Sequence, residues 1–483
     1  MGEEVIMNKL SKLEKETGKY LEPWWKLSRE DGLVYPSQGL LLTPYDGFGP
    51  VKTQMLSQEL VIQTLRLRMF FLEMFNHPYR IENLKQVCKV KFKAPKEIKS
   101  PVLEKAFTAG TALSIGDIGA RVIGSQKSRI SRLERYAQGP FVKLGRQART
   151  FFVGSASPDV WNSSLAISTM AASHCLSGVP RNGVLADIKR QADLAAEVFE
   201  QLSELSETLL HEQKDKQELL KVWKQNVMGV VEASPEKVMH RAESLYKKGV
   251  RVFRVYSPEP GTGPVQTVIK LRKEFGSEIE IFAGQVVDVK QAKQIEAAGA
   301  DGIFVGIGGG GRCITGVRSG SVIDWPELVW KMRGKTKLPI IVEGGASDHV
   351  AVTMLLGASG IGVSRVVSGG TIESPGGLLY CSDEKGNLFK PYGGEASART
   401  KFLDGKLLPF GVPSFVEGET TKAQMSFVKH ALPTLTYNLH QLIEDSILAL
   451  VFRGVENITD LQALNPSPLR QMTGSGEFQM NTH

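Results

Sequence analysis

From about residue 160 onward, short apolar runs alternate with amphipathic stretches, and this alternation constrains the fold more than any other feature of the chain. Apolar runs of about four to eight residues predict buried strands, whereas apolar residues spaced three and four apart predict helices. Strands that alternate with helices are typical of a parallel sheet covered by helices. We predict eight such strands, at 164–170, 183–186, 226–231, 250–256, 280–283, 303–305, 339–342 and 361–363.

Eight strands with crossover helices, in a stretch of roughly 210 residues, close most economically as a (β/α)8 TIM barrel, so the predicted fold class is α/β. Barrels of this kind carry their chemistry in the loops at the carboxyl ends of the strands. The rest of the chain is placed around the barrel. We predict a mainly helical N-terminal extension at 1–155, the barrel at 156–465 with a flap over the site at about 380–420, and a disordered tail at 466–483.

The predicted sixth strand leads into four consecutive glycines at 308–311, which Arg312 and Cys313 follow. Glycines let the backbone approach a ligand closely or take positive φ, and the exposed amides of such a loop can stabilise a thiolate or an oxyanion. A lone cysteine is more often simply a small buried residue. At the catalytic end of a predicted barrel, however, this sequence favours Cys313 as a nucleophile.

Two loops, after the predicted seventh and eighth strands, are suited to an anion. The first reads Glu-Gly-Gly-Ala-Ser-Asp at 343–348, and the second begins with Ser364 and Arg365. Phosphate commonly binds to a barrel at these loops, where backbone N–H groups at the start of a helix point toward the ligand. A guanidinium adds a charge-assisted contact. The sequence therefore predicts a small phosphate-bearing substrate.

Charge and hydrophobicity argue against several other classes of function. The formal net charge is +8, but the basic residues are spread along the chain without an aromatic-rich RNA motif, so we predict no nucleic-acid partner. No run reaches about 18 apolar residues, which predicts no membrane span. The start of the chain lacks a basic region followed by an apolar core, and we therefore predict a cytoplasmic location.

The spacing of the cysteines and histidines predicts reduced thiols and no metal site. The cysteines lie far apart without a Cys-x-x-Cys pair, and the histidines considered as ligands show no suitable spacing with acidic residues. These residues are Cys88, Cys175, Cys313 and Cys381, and His211, His240, His430 and His440.

Four motifs between residues 226 and 455 resemble the IMP dehydrogenase and GMP reductase family. The stretch 299–315, which ends in Gly-Arg-Cys-Ile-Thr, is similar to the family's catalytic loop, where a threonine follows the cysteine by two positions. Ile-Val-Glu-Gly-Gly at 341–345 resembles its ribose and phosphate strand. The stretch 357–376 resembles the next phosphate loop, and Phe-Lys-Pro-Tyr-Gly-Gly-Glu-Ala-Ser at 389–397 resembles the loop that holds the nucleotide.

Two further stretches resemble the reductase branch of the family. The sequence 315–326 runs like that branch after its cysteine. Asp-Gly-Lys at 404–406, which leads to Glu-Gly-Glu at 417–419, looks like the branch's flap, where an acidic residue before Gly-Lys serves in proton transfer. The arginine–tyrosine pair of the dehydrogenase flap is not visible in the sequence.

The resemblance implies that the thiolate of Cys313 attacks C2 of a purine nucleotide, and that a hydride passes between this carbon and NADP or NAD. Thr315 and Asp404 would then handle the leaving group. It also implies a homo-oligomer, a tetramer by analogy, and allows a K+ ion at the carbonyls of 308–313. The implied substrate-binding residues are Gly311, Glu343, Gly344, Gly345, Ser364, Arg365, Tyr392, Gly394 and Ser397, and the implied cofactor-binding residues are Tyr256, Ser257 and Gln285.

Several of these positions depart from the family pattern, which leaves two other functions open. Glu343, Gly311, Tyr256 and Gln285 stand where the family has aspartate, serine, aspartate and asparagine, and Ser364-Arg365 replaces a glycine-containing pair. A phenol does not supply the charge with which a carboxylate orients a nicotinamide carboxamide. One alternative is an FMN-dependent barrel oxidoreductase, whose phosphate would fit the same loops. The other is a nucleotide-binding relative without catalysis.

Overall fold

Eight parallel strands close into a barrel at the centre of the protein, which confirms the predicted fold class. The computed structural model describes residues 42–49, 51–123, 131–155, 157–182, 187–211, 213–257, 261–307, 313–404, 407–408, 412–413, 415–425 and 433–480. Strand β8 pairs with β1 and completes the ring. The barrel strands are β1 Phe152–Gly154, β2 Leu176–Val179, β3 Val227–Glu232, β4 Val252–Tyr256, β5 Glu280–Gly284, β6 Gly302–Val305, β7 Ile340–Val342 and β8 Gly360–Val363.

Strands β3 to β8 confirm the last six predicted strands, but the first prediction is wrong. Residues 164–170 lie in the helix Ser164–Ala172, which is buried along its whole length. A helix that is apolar all round has the same unbroken hydrophobic run as a buried strand, so periodicity alone does not separate them. The first strand is instead β1, which starts before the predicted barrel boundary at residue 156, and the second is β2. The predicted strand 183–186 lies outside the described residues.

Helices cover the barrel on its outer face. The helix Ile188–Leu209 illustrates why: Asp187 caps its first turn, and Leu194, Val198 and Leu202 recur every three or four residues on its buried side. The longer covering helices are Ser164–Ala172, Ile188–Leu209, Lys216–Lys224, Val238–Lys247, Gly263–Phe275, Val289–Ala297, Trp325–Met332, Val350–Leu356 and Leu435–Val451. Among the described residues, none of the helices is both long and apolar enough to span a membrane.

One end of the barrel interior is filled and plugged. Side chains from β1 to β7 meet inside the ring, among them Phe282, Phe304 and Ile341. Leu144 joins them from a hairpin formed by Phe141–Leu144 and Gln147–Thr150, which directly precedes β1. The hairpin therefore closes the amino-terminal end of the barrel, and the open end is the one where the strands finish.

The part of the N-terminal extension that the structure describes, from residue 42 onward, packs against the barrel and shares its core. Its helices are Gln58–Phe75, Pro78–Lys89, Pro101–Thr108 and Arg132–Gln138. The first of these packs against Leu435–Val451, and its residues share the main core with the barrel helices. Its strand Lys52–Met55 forms the edge of an antiparallel sheet with Leu379–Ser382, Leu388–Gly393 and Thr420–Gln424. Much of the predicted flap at 380–420 is thus a sheet with buried residues such as Tyr380 and Phe389.

The predicted disordered tail at 466–483 is also wrong for the part that the structure describes. Leu469–Gln471 pairs with Ile118–Ala120, and Gly474–Met480 is a helix. The sequence of the tail is mostly polar, and it is held by backbone hydrogen bonds and by three buried residues near its start, Ser467, Pro468 and Leu469. Composition does not record a strand held in this way. The remaining short helices are Pro158–Trp161, Thr315–Ser319, Arg365–Ser368, Ala398–Leu403 and Ile458–Gln462, and the short strands Leu407–Leu408 and Val412–Pro413 form a hairpin.

A buried histidine follows the helix Ser164–Ala172. His174 has a left-handed backbone with φ 61°, and its ring nitrogens find no hydrogen-bond partner among the described residues. Burial lowers the pKa of His174 from 6.5 to about 3. Because the folded protein resists protonation of this ring, the stability that it contributes is present above pH 6.5 and is lost as the pH falls toward 3.

We therefore expect the free energy of unfolding to fall by about 2 kcal/mol between pH 6.5 and pH 5 on account of His174 alone. The comparison is with His174→Asn, because asparagine tolerates a left-handed backbone and does not titrate in this range. Urea unfolding of both proteins at the two pH values measures the difference. An equal pH dependence in the two proteins would show that His174 is protonated without cost in the fold.

Candidate active site

A cavity of about 1240 Å³ opens at the carboxyl end of the barrel. Its walls come from the loops after most of the barrel strands and from the segment that follows the antiparallel sheet. Nine of the predicted site residues that the structure describes line it: Tyr256, Cys313, Thr315, Gly344, Gly345, Ser364, Arg365, Tyr392 and Gly394. The space is of the size that proteins use for cofactor-sized ligands.

Cys313 lies at the start of a short chain of polar contacts. Its Sγ is 3.1 Å from Thr315 Oγ1, and the hydroxyl of Thr315 donates to Glu417 Oε2 at 3.3 Å. Because the hydroxyl proton is directed at the carboxylate, the thiol is the donor in the first contact. The three residues therefore form a path along which a proton can leave the sulfur.

The segment that carries Glu417 is bound to the cysteine loop through the backbone. The N–H of Ile314 donates to the carbonyl of Glu417 at 2.9 Å, and Cys313 forms an isolated β-bridge with Gly418. The thiol and the carboxylate are thus held in register by main-chain contacts. The glycine loop before the cysteine, which includes Gly311 and the carbonyls considered for K+, lies outside the described residues.

Asp404 occupies a different place from the acid that contacts Thr315. It follows the helix Ala398–Leu403, where its N–H donates to the carbonyl of Thr400, and it is not one of the residues that line the cavity. The two acids belong to the same stretch of sequence. Which of them faces Thr315 depends on how residues 404–420 fold back, and residue spacing does not determine this.

Two neighbouring loops of the cavity wall have features that suit an anion, and we call them the anion cradle. Gly344 and Gly345 both have positive φ, at 94° and 85°, and lead into the short helix Ala346–His349. Glycine is needed at both positions because other residues rarely adopt this backbone. Arg365 begins the next short helix and also lines the cavity. The cavity wall therefore includes a glycine turn at the start of one short helix and a basic residue at the start of the next, a combination that suits a phosphate.

Two of the predicted substrate-binding serines support the cradle from behind. The hydroxyl of Ser364 is 2.5 Å from Ser155 Oγ and accepts from Trp161 Nε1 at 3.1 Å. Ser397 is fully buried and caps the helix Ala398–Leu403 by accepting from the N–H of Thr400 at 3.1 Å. These contacts fix the loops on which Arg365 and Gly394 stand.

Glu343 is bound inside the barrel by an arginine that the sequence interpretation missed. Arg254, on β4, donates to Glu343 Oε1 at 2.9 Å and to Oε2 at 2.6 Å, and its side chain is only 1% exposed. Gln285 donates to Glu343 Oε2 at 2.7 Å. The carboxylate is therefore committed to three donors, which leaves it little capacity for a ligand hydroxyl. An arginine among the apolar residues of a predicted strand was the available signal, since such a charge requires a buried partner.

Tyr256 forms the wall on the side where the resemblance implies a nicotinamide. Its ring lies beside Arg254, at 4.7 Å from the guanidinium carbon to the ring centroid, and beside Arg181 at 5.4 Å. Burial, with the Glu395 carboxylate nearby, raises the pKa of Tyr256 well above its ordinary value. The residue is therefore a neutral phenol, which can donate to or accept from a carboxamide.

The other two predicted cofactor residues do not line the cavity. Ser257 joins β4 to β5: its N–H donates to the carbonyl of Gly284, and its carbonyl accepts from the N–H of Gln285, both at 3.0 Å. The side chain of Gln285 is committed to Glu343 and is 2% exposed. Of the three predicted cofactor-binding residues, Tyr256 is therefore the one that lines the cavity.

Comparison with known proteins places these features in a family. A family model described as IMP dehydrogenase / GMP reductase domain matches residues 81–483, which is most of the chain. The chain belongs to the IMP dehydrogenase and GMP reductase family. Among the described residues, those at 42–80 precede this match, although they pack into the same core.

Individual relatives are similar over shorter stretches. An inosine-5'-monophosphate dehydrogenase of Chlorobaculum tepidum is 29% identical over 245 residues, which are 46% of this chain and 46% of that protein. One from Aquifex aeolicus is 27% identical over 272 residues, 53% of this chain and 52% of that protein. Inosine-5'-monophosphate dehydrogenase 1 of Arabidopsis thaliana is 30% identical over 189 residues, 38% and 37% of the two chains. The chain therefore spans about half the length, or less, of these curated relatives.

Proposed function

We propose that this protein is a purine-nucleotide oxidoreductase in which Cys313 attacks C2 of the base and a hydride is exchanged with NAD or NADP. The observation that carries the proposal is the contact path from Cys313 through Thr315 to Glu417, which lines the same cavity as the anion cradle. Membership in the IMP dehydrogenase and GMP reductase family supports the same chemistry.

The residues of this chain have three tasks in the proposed reaction. Gly344, Gly345 and Arg365 hold the phosphate and so place the base over the thiol. Cys313 Sγ then bonds to C2, and its proton leaves through Thr315 to Glu417. A nicotinamide, when bound, gives a hydride to C2 or accepts one from it.

The resemblance of the stretch after Cys313 to the reductase branch favours the reductive direction. In that direction the substrate is a 2-aminopurine nucleotide, whose amino group leaves C2 as ammonia after Cys313 has bonded to this carbon. A reduced nicotinamide, if bound beside Tyr256, would supply the hydride that C2 then needs. The proton that the leaving amine needs comes from Glu417 through Thr315, which reverses the path by which the thiol lost it. The carbon–sulfur bond then breaks, and the thiolate is restored.

A panel of purine mononucleotides tests the proposal directly. The protein is mixed with GMP, IMP or XMP and with NADH, NADPH, NAD or NADP, and the absorbance of the reduced cofactor is followed. We expect GMP with a reduced cofactor to give the fastest change. Change with IMP and an oxidised cofactor alone would assign the dehydrogenase direction instead. An unchanged absorbance with every pair would contradict an oxidoreductase of this class.

Substitution of Glu417 and of Asp404 tests which of these two carboxylates transfers the proton. Glu417→Gln keeps the shape of the side chain and removes its basicity, so we expect kcat to fall by about 10²-fold, within the usual range for general acid–base catalysis. Glu419→Gln, two residues away and exposed, is the matched control and should leave kcat unchanged. Asp404→Asn tests the acid that the sequence favoured. A larger loss in Asp404→Asn than in Glu417→Gln would reassign the proton transfer to Asp404.

One observation favours a second candidate, a relative that binds nucleotides without turnover. Glu343 is committed to Arg254 and Gln285, so a carboxylate that the family directs at the ligand is engaged inside the barrel here. Such a protein would bind a purine mononucleotide, as measured by calorimetry, but would not change the absorbance of any cofactor in the panel. The two functions are distinguished by that pair of measurements.

A further inference from the structure

A short N-terminal segment, which precedes the region that the family model matches, is linked through buried side chains to a loop that lines the cavity. Residues 42–49 and the strand Lys52–Met55 precede residue 81, where the match begins. Within this segment, Asp46 accepts from the N–H of Thr43 at 2.8 Å and from its hydroxyl at 2.9 Å. Both side chains are buried. The segment is therefore a built turn with its carboxylate directed into the protein.

The carboxylate of Asp46 binds Arg399, which lies 353 residues later in the chain. Arg399 Nη1 lies 2.8 Å and 2.9 Å from the two oxygens of Asp46, and Arg399 Nε donates to Asp159 Oδ2 at 2.8 Å. The side chains of all three residues are 4% exposed or less. In this buried triad, one guanidinium bridges two carboxylates that come from different parts of the chain. Electrostatic contacts of this kind are strong because water is excluded from them.

The triad also binds the backbone of the loop Tyr392–Gly394. Asp159 Oδ2 accepts from the N–H of Gly393 at 2.7 Å, and the residues on either side, Tyr392 and Gly394, line the cavity. A side chain at Gly393 would collide with Ser397 Oγ and approach Asp159, so the strand end must be bare here. Asp159 therefore fixes the position of the strand end between two cavity residues.

Arg399 also fixes the helix that follows this loop. The helix Ala398–Leu403 carries Lys401, which lines the cavity two residues after Arg399. The edge strand Lys52–Met55 supports the same unit from behind, because it pairs with Leu379–Ser382 in the sheet that contains Tyr392. The N-terminal segment is thus linked to the loop Tyr392–Gly394 in two ways. One is the buried ion pairs of Asp46, Arg399 and Asp159, and the other is the sheet to which Lys52–Met55 belongs.

We propose that residues 42–49 and the strand Lys52–Met55 support the ligand site without lining it, and that Asp46 is a positioning residue that acts through Arg399 and Asp159 on the loop Tyr392–Gly394. The identity of the ligand, a purine mononucleotide, rests on the proposed function. The positioning itself does not, because it is a property of the ligand-free protein. Removal of the Asp46 charge leaves one guanidinium and one carboxylate, so the effect is a displaced loop and not an unpaired charge.

Asp46→Asn tests the proposal by separating affinity from chemistry. We expect KM for the mononucleotide, or its Kd by calorimetry, to rise about tenfold, a change of about 1.4 kcal/mol, while kcat stays within about twofold. Asp46→Glu keeps the charge and should restore most of the affinity. Asp383→Asn is the control, since Asp383 holds a turn at the opposite end of the same sheet. It should leave KM unchanged.

Amide hydrogen exchange provides a readout that needs no ligand. In Asp46→Asn, the N–H groups of 392–397 should exchange about tenfold faster than in the wild type, with the barrel strands unaffected. Thr43→Val weakens the same turn without a change in charge and should act in the same direction if Asp46→Asn does not fold. Unchanged affinity and unchanged exchange at 392–397 would overturn the proposal. A wild-type protein that binds no purine mononucleotide would contradict the proposed function, whereas faster exchange in the variant would still support the positioning role.

Discussion

Cys313→Ala should lower kcat by roughly 10³-fold or more, because Cys313 is the one thiol among the described residues that line the cavity, and the proposed covalent bond to the purine is formed by its sulfur. The nucleotide should still bind with an affinity within about threefold of the wild type, since the phosphate cradle and the Tyr392 loop are untouched. The measurement is steady-state turnover with the active nucleotide and cofactor pair, combined with calorimetric binding of the nucleotide alone.

Cys88→Ala is the matched control for this experiment. Cys88 is also a half-buried free thiol, but it lies on the helix Pro78–Lys89 beside Gln147 and is not among the residues of the cavity. Its replacement should leave kcat unchanged. If Cys313→Ala retained turnover, the covalent mechanism would be wrong even though the cavity bound the nucleotide.

The largest effect on stability should come from Arg254→Met. The substitution leaves the carboxylate of Glu343 buried against Gln285 without its charged partner, and the loss of one member of such a pair costs about 3–5 kcal/mol. Methionine fills most of the volume of the arginine stem against the ring of Phe304, so the loss reflects charge more than packing. Urea unfolding of the wild type and the variant measures the difference in free energy.

The double variant Arg254→Met/Glu343→Leu separates the two contributions. It removes both charges, so we expect it to recover most of the stability that the single substitution loses. A single variant that loses less than about 1 kcal/mol would show that water reaches the carboxylate and that the pair behaves like an exposed salt bridge. The same series shows whether Glu343, once released, contributes to nucleotide affinity.

Sequence patterns predicted the barrel because six of its strands are short apolar runs bounded by turn residues, and such runs have few other interpretations when helices alternate with them. They failed at Ser164–Ala172 because a completely buried helix and a buried strand have the same composition. They failed at Leu469–Gln471 because backbone pairing with Ile118–Ala120 holds this strand, and backbone hydrogen bonds leave no mark on residue type.

The site shows the same division. Cys313 and the Gly344–Gly345 turn, which both line the cavity, were recognisable from residue type, because the chemistry favours a thiol and the positive φ of the turn requires glycine. The contacts Arg254–Glu343, Thr315–Glu417 and Asp46–Arg399 were not, because each joins residues about 90 or more positions apart. Only the closed barrel and the returning flap bring these partners together.

The most direct measurement of the central claim is the mass of the protein after the reaction is stopped. The protein is mixed with the nucleotide and cofactor pair that supports turnover, quenched with acid within the first turnover, and digested for mass spectrometry. We predict a peptide that contains Cys313 and has gained the mass of the purine nucleotide, or that mass less ammonia once the amino group has left, and no such peptide in Cys313→Ala. Turnover at the wild-type rate without any adduct on Cys313 would contradict the account.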